Sequence, residues 1–424
     1  MLFWGTVIIF GFVYIGMLWG RLPWLGLDRT GVSVLGGIAV VATGILTFPD
    51  MIQAIDFDTI ALLLGMMVVL GSMRQAGFME GLSKQLLGRI QNPSWFLACT
   101  MGISAILSAL LVNDTICLAL TPVIIGICRQ KGMSAKPHLI GISLASNIGS
   151  LATLVGNPQN MIIGKLSGID FFSFALRMTP VSILALGAAF AIMRIIFRQD
   201  LKYLNSLTSQ STVAEPVLEH PEINKLAPSS NQSSIFASPR FIANGFILIG
   251  ILIAFLVGVP LAVVALSAMG IVILLRRDAR WIFAEIDWEL LMMFSGLFVV
   301  VHAFHEQVVV HWSHELNQFT APWAMGVVVA ILSNLVSNVP AVLLLAPLVP
   351  IPLDHTISSS WLIMAMMSTL AGNLTIFASV ANLIVVEQAK REKIDISLGE
   401  FCRAGIPITL VTMMIGVLWF MLLF

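Results

Sequence analysis

Long apolar runs alternate with short polar segments along most of this chain. About 20 consecutive apolar residues allow an α-helix to cross a bilayer. The pattern therefore predicts a bundle of transmembrane helices. The candidate spans are 2–20, 31–48, 57–76, 94–128, 138–165, 173–197, 241–257, 260–275, 288–304, 320–353, 360–387 and 404–424.

Two of these runs, 94–128 and 320–353, are too long for a single crossing, and each has polar residues in its middle. The interruptions are Val112–Thr115 and Ser337–Pro340. Three arrangements fit each run: one long tilted helix, two full crossings, or a re-entrant hairpin that turns back at mid-membrane.

The composition excludes a soluble protein, because 58% of the residues are hydrophobic and 10% are charged, whereas soluble domains carry about 25% charged residues. A nucleic-acid-binding protein and an ordinary soluble enzyme are excluded with it. The sequence also lacks a phosphate-binding loop or a metal-ligand helix, so a primary pump or a membrane enzyme has little support. Segment 2–19 has no basic leader or cleavage pattern and is expected to remain as a helix. The four cysteines fit neither a disulfide framework nor a zinc site and are expected to be buried.

Lysine and arginine discriminate among the arrangements, because in short loops they remain on the cytoplasmic side. If the N-terminus is outside and both long runs are hairpins, all but Lys165 and Arg177 of the 22 Lys and Arg residues lie inside. A single crossing by 94–128 would put Arg89 and Arg129 on opposite faces, whereas two short crossings would give the same charge count as a hairpin. We predict an integral protein of the bacterial inner (plasma) membrane, with both termini outside and a cytoplasmic linker at 198–240.

The segments on either side of the linker, 1–197 and 241–424, resemble each other. Ile55–Asp58 recurs as Ile286–Glu289, and each opens an apolar span with a glycine at the same later position. Gly156–Asn160 aligns with Ala378–Asn382. The charge-derived topology places the members of the first pair on opposite faces, so the two repeats are predicted to be inverted. Inverted repeats with interrupted helices are typical of secondary transporters with a site near the midplane. A channel is the competing class, but no carbonyl filter or ring of charges is present.

The hairpin tips carry the first candidate functional residues. Asn113 or Asp114 is placed to cap the helix after the first tip, because their side-chain oxygens accept hydrogen bonds from free N–H groups. Asn338 is placed to do the same at the second tip, where Pro340 suits the first helical position. Irregular backbone at this depth is tolerated only where it lines a cavity or is buried in protein.

Two broken helices carry the remaining candidates. In the first, Asn157 is placed as a cap and Pro158 as the start of a helix; the partner loop contains Ser379 and Asn382. Four helix N-termini would then meet at one cavity, each with about half a positive charge. No Lys, Arg or His lies in these four breaks, which favours a neutral or weakly acidic solute. Interhelical packing is the alternative role for these polar side chains. The broken helices are predicted over 138–165 and 360–387.

Asp114 is the most informative single residue, because a carboxylate within an apolar span is costly and functional by default. Burial favours its neutral form and the helix termini favour its ionised form. It can therefore exchange a proton during a transport cycle. The second repeat has Val339 at this position, so only one half supplies the group. A simple helix cap is the alternative.

Other ionisable residues are expected at the membrane surface. Four acids at the starts of spans should complement helix dipoles: Asp56, Asp58, Asp287 and Glu289. Four histidines near the end of one span are expected to be solvated or interfacial, with a metal site as the alternative: His302, His305, His311 and His314.

Four segments together resemble the ion transporter superfamily, which includes ArsB-type arsenite permeases, plant silicon-efflux transporters, citrate transporters and divalent anion/sodium symporters. They are Val112–Cys117, Ser146–Ser150, Gly156–Asn160 and Ala381–Val385. The resemblance implies an all-α homodimer in which each protomer has a scaffold and a mobile transport domain with two re-entrant hairpins, moving as an elevator. The symporter branch carries Ser-Asn-Thr at both tips. This chain keeps only the asparagines, and its Asn-Asp pair is similar to the proton-linked efflux branches.

The leading hypothesis is a proton-coupled antiporter that exports a small oxyacid of the silicic acid or arsenite type. The alternatives are a sodium-coupled carboxylate or other anion symporter, an anion channel, and a membrane subunit that docks a soluble ATPase. No cofactor is expected, and the coupling ion is H⁺ or alternatively Na⁺. Asp114 is the predicted coupling residue. The predicted substrate-binding residues are Asn113, Thr115, Asn157, Asn160, Ser337, Asn338, Ser379 and Asn382. The predicted supporting residues are Asn147, Gly149, Gly156, Pro158, Pro340, Asn373 and Thr375.

Overall fold

The computed structural model describes residues 2–22, 25–201, 239–276, 281, 284–310, 322–349 and 359–423. These residues are almost entirely helical, and they include six helices long and apolar enough to cross a membrane. The all-helical membrane architecture is therefore confirmed. Most of the predicted linker, 202–238, lies outside the described residues, as do His311 and His314.

Ten helices precede the linker among the described residues. They are α1 (Leu2–Trp19), α2 (Arg29–Ala42), α3 (Phe48–Ala54), α4 (Phe57–Gln75), α5 (Phe78–Leu87), α6 (Pro93–Leu110), α7 (Asn113–Lys131), α8 (Lys136–Ser150), α9 (Pro158–Ser167) and α10 (Phe171–Ile196). Between α1 and α2, strand β1 (Arg21–Leu22) pairs antiparallel with β2 (Leu27–Asp28). The short helices α3 and α5 were not among the predicted spans, because neither is long enough to cross a membrane.

After the linker, the described residues form eight further α-helices, not counting any helix within 281–285. They are α11 (Pro239–Leu256), α12 (Leu261–Arg276), α13 (Trp288–Phe304), α14 (Pro322–Val336), α15 (Asn338–Leu345), α16 (Ser359–Ala371), α17 (Val380–Arg391) and α18 (Leu398–Leu423). A π-helical segment, His305–Val309, extends α13.

Both long apolar runs are interrupted where their polar residues predicted. Leu111 and Val112 separate α6 from α7. Ser337 separates α14 from α15 and has a φ of 78°, a region that side chains other than glycine rarely adopt. The helices on the two sides of each break contact each other. An unbroken rod through either run is therefore excluded.

Four of the unbroken helices pack in a reciprocal manner between the two halves. Helix α2 packs on α13, and α12 packs on α4. Glycines at matching positions allow both crossings. A Cβ on Gly65 would lie 2.6 Å from the Ala265 carbonyl carbon, and a Cβ on Gly296 would lie 2.5 Å from the Ser33 carbonyl oxygen. The pairing of these glycines in the sequence thus corresponds to the same close approach in each half.

The starts of α4 and α13 are also alike. Asp56 caps α4 by accepting hydrogen bonds from the backbone N–H groups of Asp58 and Thr59. Asp287 caps α13 by accepting one from Leu290 at 3.0 Å. The capping residues have nearly equal dihedral angles, φ −77° and ψ 89° against φ −80° and ψ 85°. Asp56 and Asp287 act as helix caps, and their place at the helix starts agrees with the predicted complement to the helix dipoles.

The loops of the two broken helices use the same hydrogen bonds. Asn160 Nδ2 donates to the carbonyl oxygens of Ser150 and Thr153 at 3.2 and 3.0 Å. Asn382 Nδ2 donates to the matching carbonyls of Gly372 and Thr375 at 2.7 and 2.9 Å. Each asparagine therefore braces the loop that precedes its own helix, because it satisfies two carbonyls that the broken helix leaves unpaired.

Ion pairs between elements respect the predicted grouping of charges. Arg129 pairs with Glu392 at 2.7 Å, and Lys136 pairs with Glu400 at 2.8 Å. Arg129 and Lys136 are predicted inside, and Glu392 and Glu400 are close in sequence to other residues predicted inside. Lys165, predicted outside, pairs with Asp58, which follows Asp56 on the predicted outer face. The orientation of the chain in the membrane stays a prediction.

We expect Gly65→Ala and Gly296→Ala each to destabilise the fold by about 1–3 kcal/mol, because the added methyl meets the backbone of the facing helix. Thermal unfolding of the purified protein in detergent measures the effect. Gly270→Ala is the matched control, since a Cβ at that helical position meets nothing within 4 Å. Equal unfolding temperatures for all three variants would contradict the tight crossings.

We expect Asn160→Ala and Asn382→Ala to destabilise the protein by similar amounts, about 1–3 kcal/mol each, because each leaves two buried carbonyls without a donor. The same thermal unfolding assay compares them. Asn334→Ala serves as the control, since among the described residues Asn334 Nδ2 donates to the carbonyl of Ala330 alone, within its own helix. A loss of thermal stability in only one of the two loop-asparagine variants would show that the loops are not equivalent.

Candidate functional site

Four helix N-termini meet at a cavity of about 60 Å³. They are those of α7, α9, α15 and α17, the four that the sequence predicted. The cavity is lined by Met17, Arg29, Asn113, Asp114, Pro158, Gln159, Leu290, Met293, Phe294, Ser337, Asn338, Val339, Pro340, Ser379 and Val380. The structure thus brings together residues that are far apart in the chain and that belong to both halves.

Asn113 connects the first tip to the broken helix of its own half. Its backbone N–H donates to the Gly156 carbonyl at 3.0 Å, and its Nδ2 donates to Asn147 Oδ1 at 3.0 Å. Its Oδ1 is buried and has no partner. The prediction that Asn113 or Asp114 caps α7 is wrong, because Val112 occupies the capping position and makes no side-chain bond.

Asp114 instead supports a different helix. Its carboxylate lies close to the backbone N–H of Ala381, in the first turn of α17. A carboxylate there complements the positive end of the helix. The residue following it, Thr115, is half-buried and does not line the cavity.

The second tip presents a similar free oxygen. Asn338 is 8% exposed, and its Oδ1 is buried without a partner. Neither Ser337 nor Asn338 caps α15 through its side chain, so that prediction is also wrong. Pro340 is the third residue of α15, not the first, and its carbonyl accepts a hydrogen bond from the buried Tyr14 hydroxyl at 2.9 Å. Helix α1 is thereby tied to the tip.

At the first broken helix the prediction for Asn157 and Pro158 is confirmed. Asn157 caps α9 by accepting a hydrogen bond from the Asn160 N–H at 2.9 Å, and Pro158 is the first helical residue. Asn157 Nδ2 also donates to Thr369 Oγ1 in the other half at 3.3 Å. Reciprocally, the Ser379 hydroxyl donates to Asn147 Oδ1 at 3.1 Å. Each loop therefore bonds to the broken helix of the opposite half.

Several predicted site residues lie behind the cavity wall. Asn147 and Asn373 are fully buried and joined by a hydrogen bond of 3.0 Å. Gly149 lies against the backbone of Ala105 on α6, where a side chain would clash. The predicted residues that do not line the cavity are Thr115, Asn147, Gly149, Gly156, Asn157, Asn160, Asn373, Thr375 and Asn382.

Arg29 is the functional candidate that the sequence analysis missed. No Lys, Arg or His lies in the four helix breaks, but this arginine lines the cavity from the start of α2. It was overlooked because it lies outside all four helix breaks. Its position at the opening of an apolar span, directly after the helix cap Asp28, is the signal that identifies it in retrospect.

The other lining residues form an apolar wall. Met17 comes from α1, and Leu290, Met293 and Phe294 come from α13. Among the described residues, no group of three or more His, Cys, Asp and Glu side chains is arranged to hold a metal ion.

Comparison with known proteins places this geometry among membrane transporters. The silicon efflux transporter LSI3 of Oryza sativa subsp. japonica is 28% identical, and the match covers 97% of each chain. A Dictyostelium discoideum protein that carries the transporter name arsB is 31% identical over 93% of this chain and 87% of its own length. The crystal structure of the YdaH transporter of Alcanivorax borkumensis has the same fold, with a TM-score of 0.57 at 15% identity over 99% of this chain and 96% of that one.

The citrate transporter family, CitMHS, matches residues 14–371. The resemblance to the ion transporter superfamily is confirmed, and the relatives are transporters, not enzymes. The chain is therefore an integral membrane transporter and belongs to the CitMHS family.

Proposed function

We propose that this transporter is a proton-coupled antiporter that exports a small neutral or weakly acidic oxyacid of the silicic acid or arsenite type. The observation that carries the proposal is a pair of buried carbonyl oxygens without partners, Asn113 Oδ1 and Asn338 Oδ1. Both residues line the same cavity as Asp114. The silicon efflux activity in the name of one relative supports the same substrate class.

The chemistry of these oxygens favours a solute with hydroxyl groups. A buried acceptor without a donor costs about 1–3 kcal/mol, and a bound O–H group removes that cost. A fully ionised oxyanion has only acceptors to offer and would be repelled by both carbonyls. The cavity of about 60 Å³ holds a few water-sized groups, which suits a small inorganic oxyacid.

Asp114 supplies the proton exchange in this proposal. Its carboxylate faces the start of α17 near the Ala381 N–H, where the positive end of the helix stabilises a negative charge. In this proposal solute and proton alternate: proton uptake at Asp114 removes the charge that interacts with α17, and proton release restores it for the next solute.

The reciprocal packing of the halves supports the transport architecture. Helix α2 on α13 and α12 on α4 form the scaffold in this proposal. The two interrupted runs act as re-entrant hairpins and, with α8–α9 and α16–α17, form the mobile domain of an inverted-repeat elevator. We propose a homodimer in the bacterial inner membrane, with both termini outside. ATP-stimulated export with a soluble ATPase would reveal a partner subunit.

One observation favours a second candidate, a sodium-coupled di- or tricarboxylate symporter. Arg29 lines the cavity beside the four N-termini, and a guanidinium binds carboxylates well. The description of the matching family as citrate transporters agrees with this reading. Against it, the cavity is much smaller than a tricarboxylate.

We expect Asp114→Asn to abolish solute countertransport driven by a pH gradient, because the amide cannot exchange a proton. Proteoliposomes loaded with arsenous acid or germanic acid, with and without a pH gradient, provide the measurement. Asp170→Asn is the control, since Asp170 only caps α10 and asparagine caps equally well. Gradient-driven export that survives in Asp114→Asn would remove the proton role.

We expect Arg29→Gln to change arsenous acid export by about threefold or less, because a neutral solute gains little from a guanidinium. Sodium-dependent citrate uptake is measured in the same vesicles. The matched variant Arg29→Lys keeps the charge. If the wild type takes up citrate, and Arg29→Gln abolishes this uptake while Arg29→Lys retains it, the carboxylate symporter is established instead.

A further inference from the structure

We infer that Asn147 is a positioning residue that fixes which end of the Asn113 amide is free at the cavity, and thereby sets the site for hydroxyl donors. This inference rests on the proposed function and refines its specificity. It follows from a chain of amide groups whose orientation is fixed at one end by backbone carbonyls.

The fixed end lies in the second half. Asn382 Nδ2 donates to the carbonyls of Gly372 and Thr375. A carbonyl can only accept, so the Asn382 amide has one orientation and points its Oδ1 toward Asn147. Asn373 Nδ2 donates to the Leu144 carbonyl at 3.3 Å, which orients its own Oδ1 in the same way.

These two oxygens orient Asn147. Its Nδ2 donates to Asn373 Oδ1 at 3.0 Å and to Asn382 Oδ1 at 3.1 Å. Its Oδ1 therefore faces the other way, where it accepts from Asn113 Nδ2 at 3.0 Å and Ser379 Oγ at 3.1 Å. The residue is 1% exposed, and its amide makes all four hydrogen bonds available to it.

The hydrogen bond between Asn113 and Asn147 determines which group of the Asn113 amide the cavity presents to a solute. If the Asn113 amide turned over, its Oδ1 would face Asn147 Oδ1, and two buried acceptors would oppose each other. The Nδ2 of Asn113 therefore stays on Asn147, and the Oδ1 remains the free end. A tip that presents an acceptor selects solutes that carry O–H groups.

The chain of amide hydrogen bonds from Asn382 through Asn147 to Asn113, here called the amide relay, occurs in one half of the described structure and not in the other. When the two halves are aligned so that Asn160 matches Asn382, Asn147 matches Thr369. The Thr369 hydroxyl accepts from Asn157 Nδ2 and Gln159 Nε2, both at 3.3 Å. A hydroxyl donates a single hydrogen bond and cannot hold two amide oxygens at once. Asn147→Thr thus places at this position a residue that the other half already accommodates.

Binding selectivity tests the inference. Arsenous acid, a neutral hydroxyl donor, and arsenate, an anion of the same element, are titrated against purified full-length wild type, Asn147→Ala, Asn147→Thr and Ser143→Ala. We expect both Asn147 variants to bind arsenous acid about tenfold more weakly, as loss of one oriented hydrogen bond predicts, and to gain affinity for arsenate. Ser143 donates to Asn382 Oδ1 and does not line the cavity. Ser143→Ala therefore removes a neighbouring hydrogen bond without freeing the Asn147 amide, and its selectivity ratio should equal that of the wild type. Folded Asn147 variants with an unchanged ratio would overturn the inference.

A measurement without ligand separates this inference from the proposed function. In the structure no hydrogen bond joins the side chains of Asn113 and Asn382, whereas Asn147 bonds to both, so the inference predicts that energetic coupling between them passes through Asn147. We expect the thermal destabilisation by Asn113→Ala and Asn382→Ala to be non-additive in the wild type and additive in Asn147→Thr. If the wild type binds neither arsenic species, the proposed substrate class fails and the coupling experiment still tests the relay. Coupling that persists in Asn147→Thr would overturn the relay itself.

Discussion

The site depends on one constraint: a helix that stops inside a membrane protein must find partners for the backbone groups it leaves unpaired. Asn160 and Asn382 meet this need at the two loops by donating to carbonyls that precede their helices. Asn157 meets it from the other side by accepting from the Asn160 N–H at the start of α9, and the Asp114 carboxylate lies near the start of α17. Asn113 Oδ1 and Asn338 Oδ1 at the two tips remain unsatisfied, and the proposed function assigns them to a solute.

The two halves share their framework and differ in their chemistry. The glycine crossings, the capping aspartates and the loop asparagines occur in both. Asp114 has Val339 at the matching place, and Asn147 has Thr369. The framework provides two similar surfaces around one cavity, whereas the differences assign the charged group and the amide relay to a single half. A cavity with distinct sides can hold a proton site and a solute site at once.

The sequence predicted local features well, because hydrophobic pattern, helix-breaking residues and internal similarity are all local signals. The interruptions at Val112 and Ser337 and the cap at Asn157 are examples. It failed where tertiary contacts decide. Asp114 lies in the first turn of α7, but its carboxylate is close to Ala381, on a helix far away in the chain. Arg29 reaches the cavity from α2, and no spacing along the chain relates it to the tips.

The contacts of Gly65 and Gly296 have a consequence for how such chains diversify. Each crossing joins one helix from the first half to one from the second, with backbone against backbone. A residue that enlarges one surface therefore has to be offset by a change in the opposite half of the gene. Chimaeras that combine halves of distant relatives would bring together surfaces shaped for other neighbours, so the two halves must evolve as a single unit.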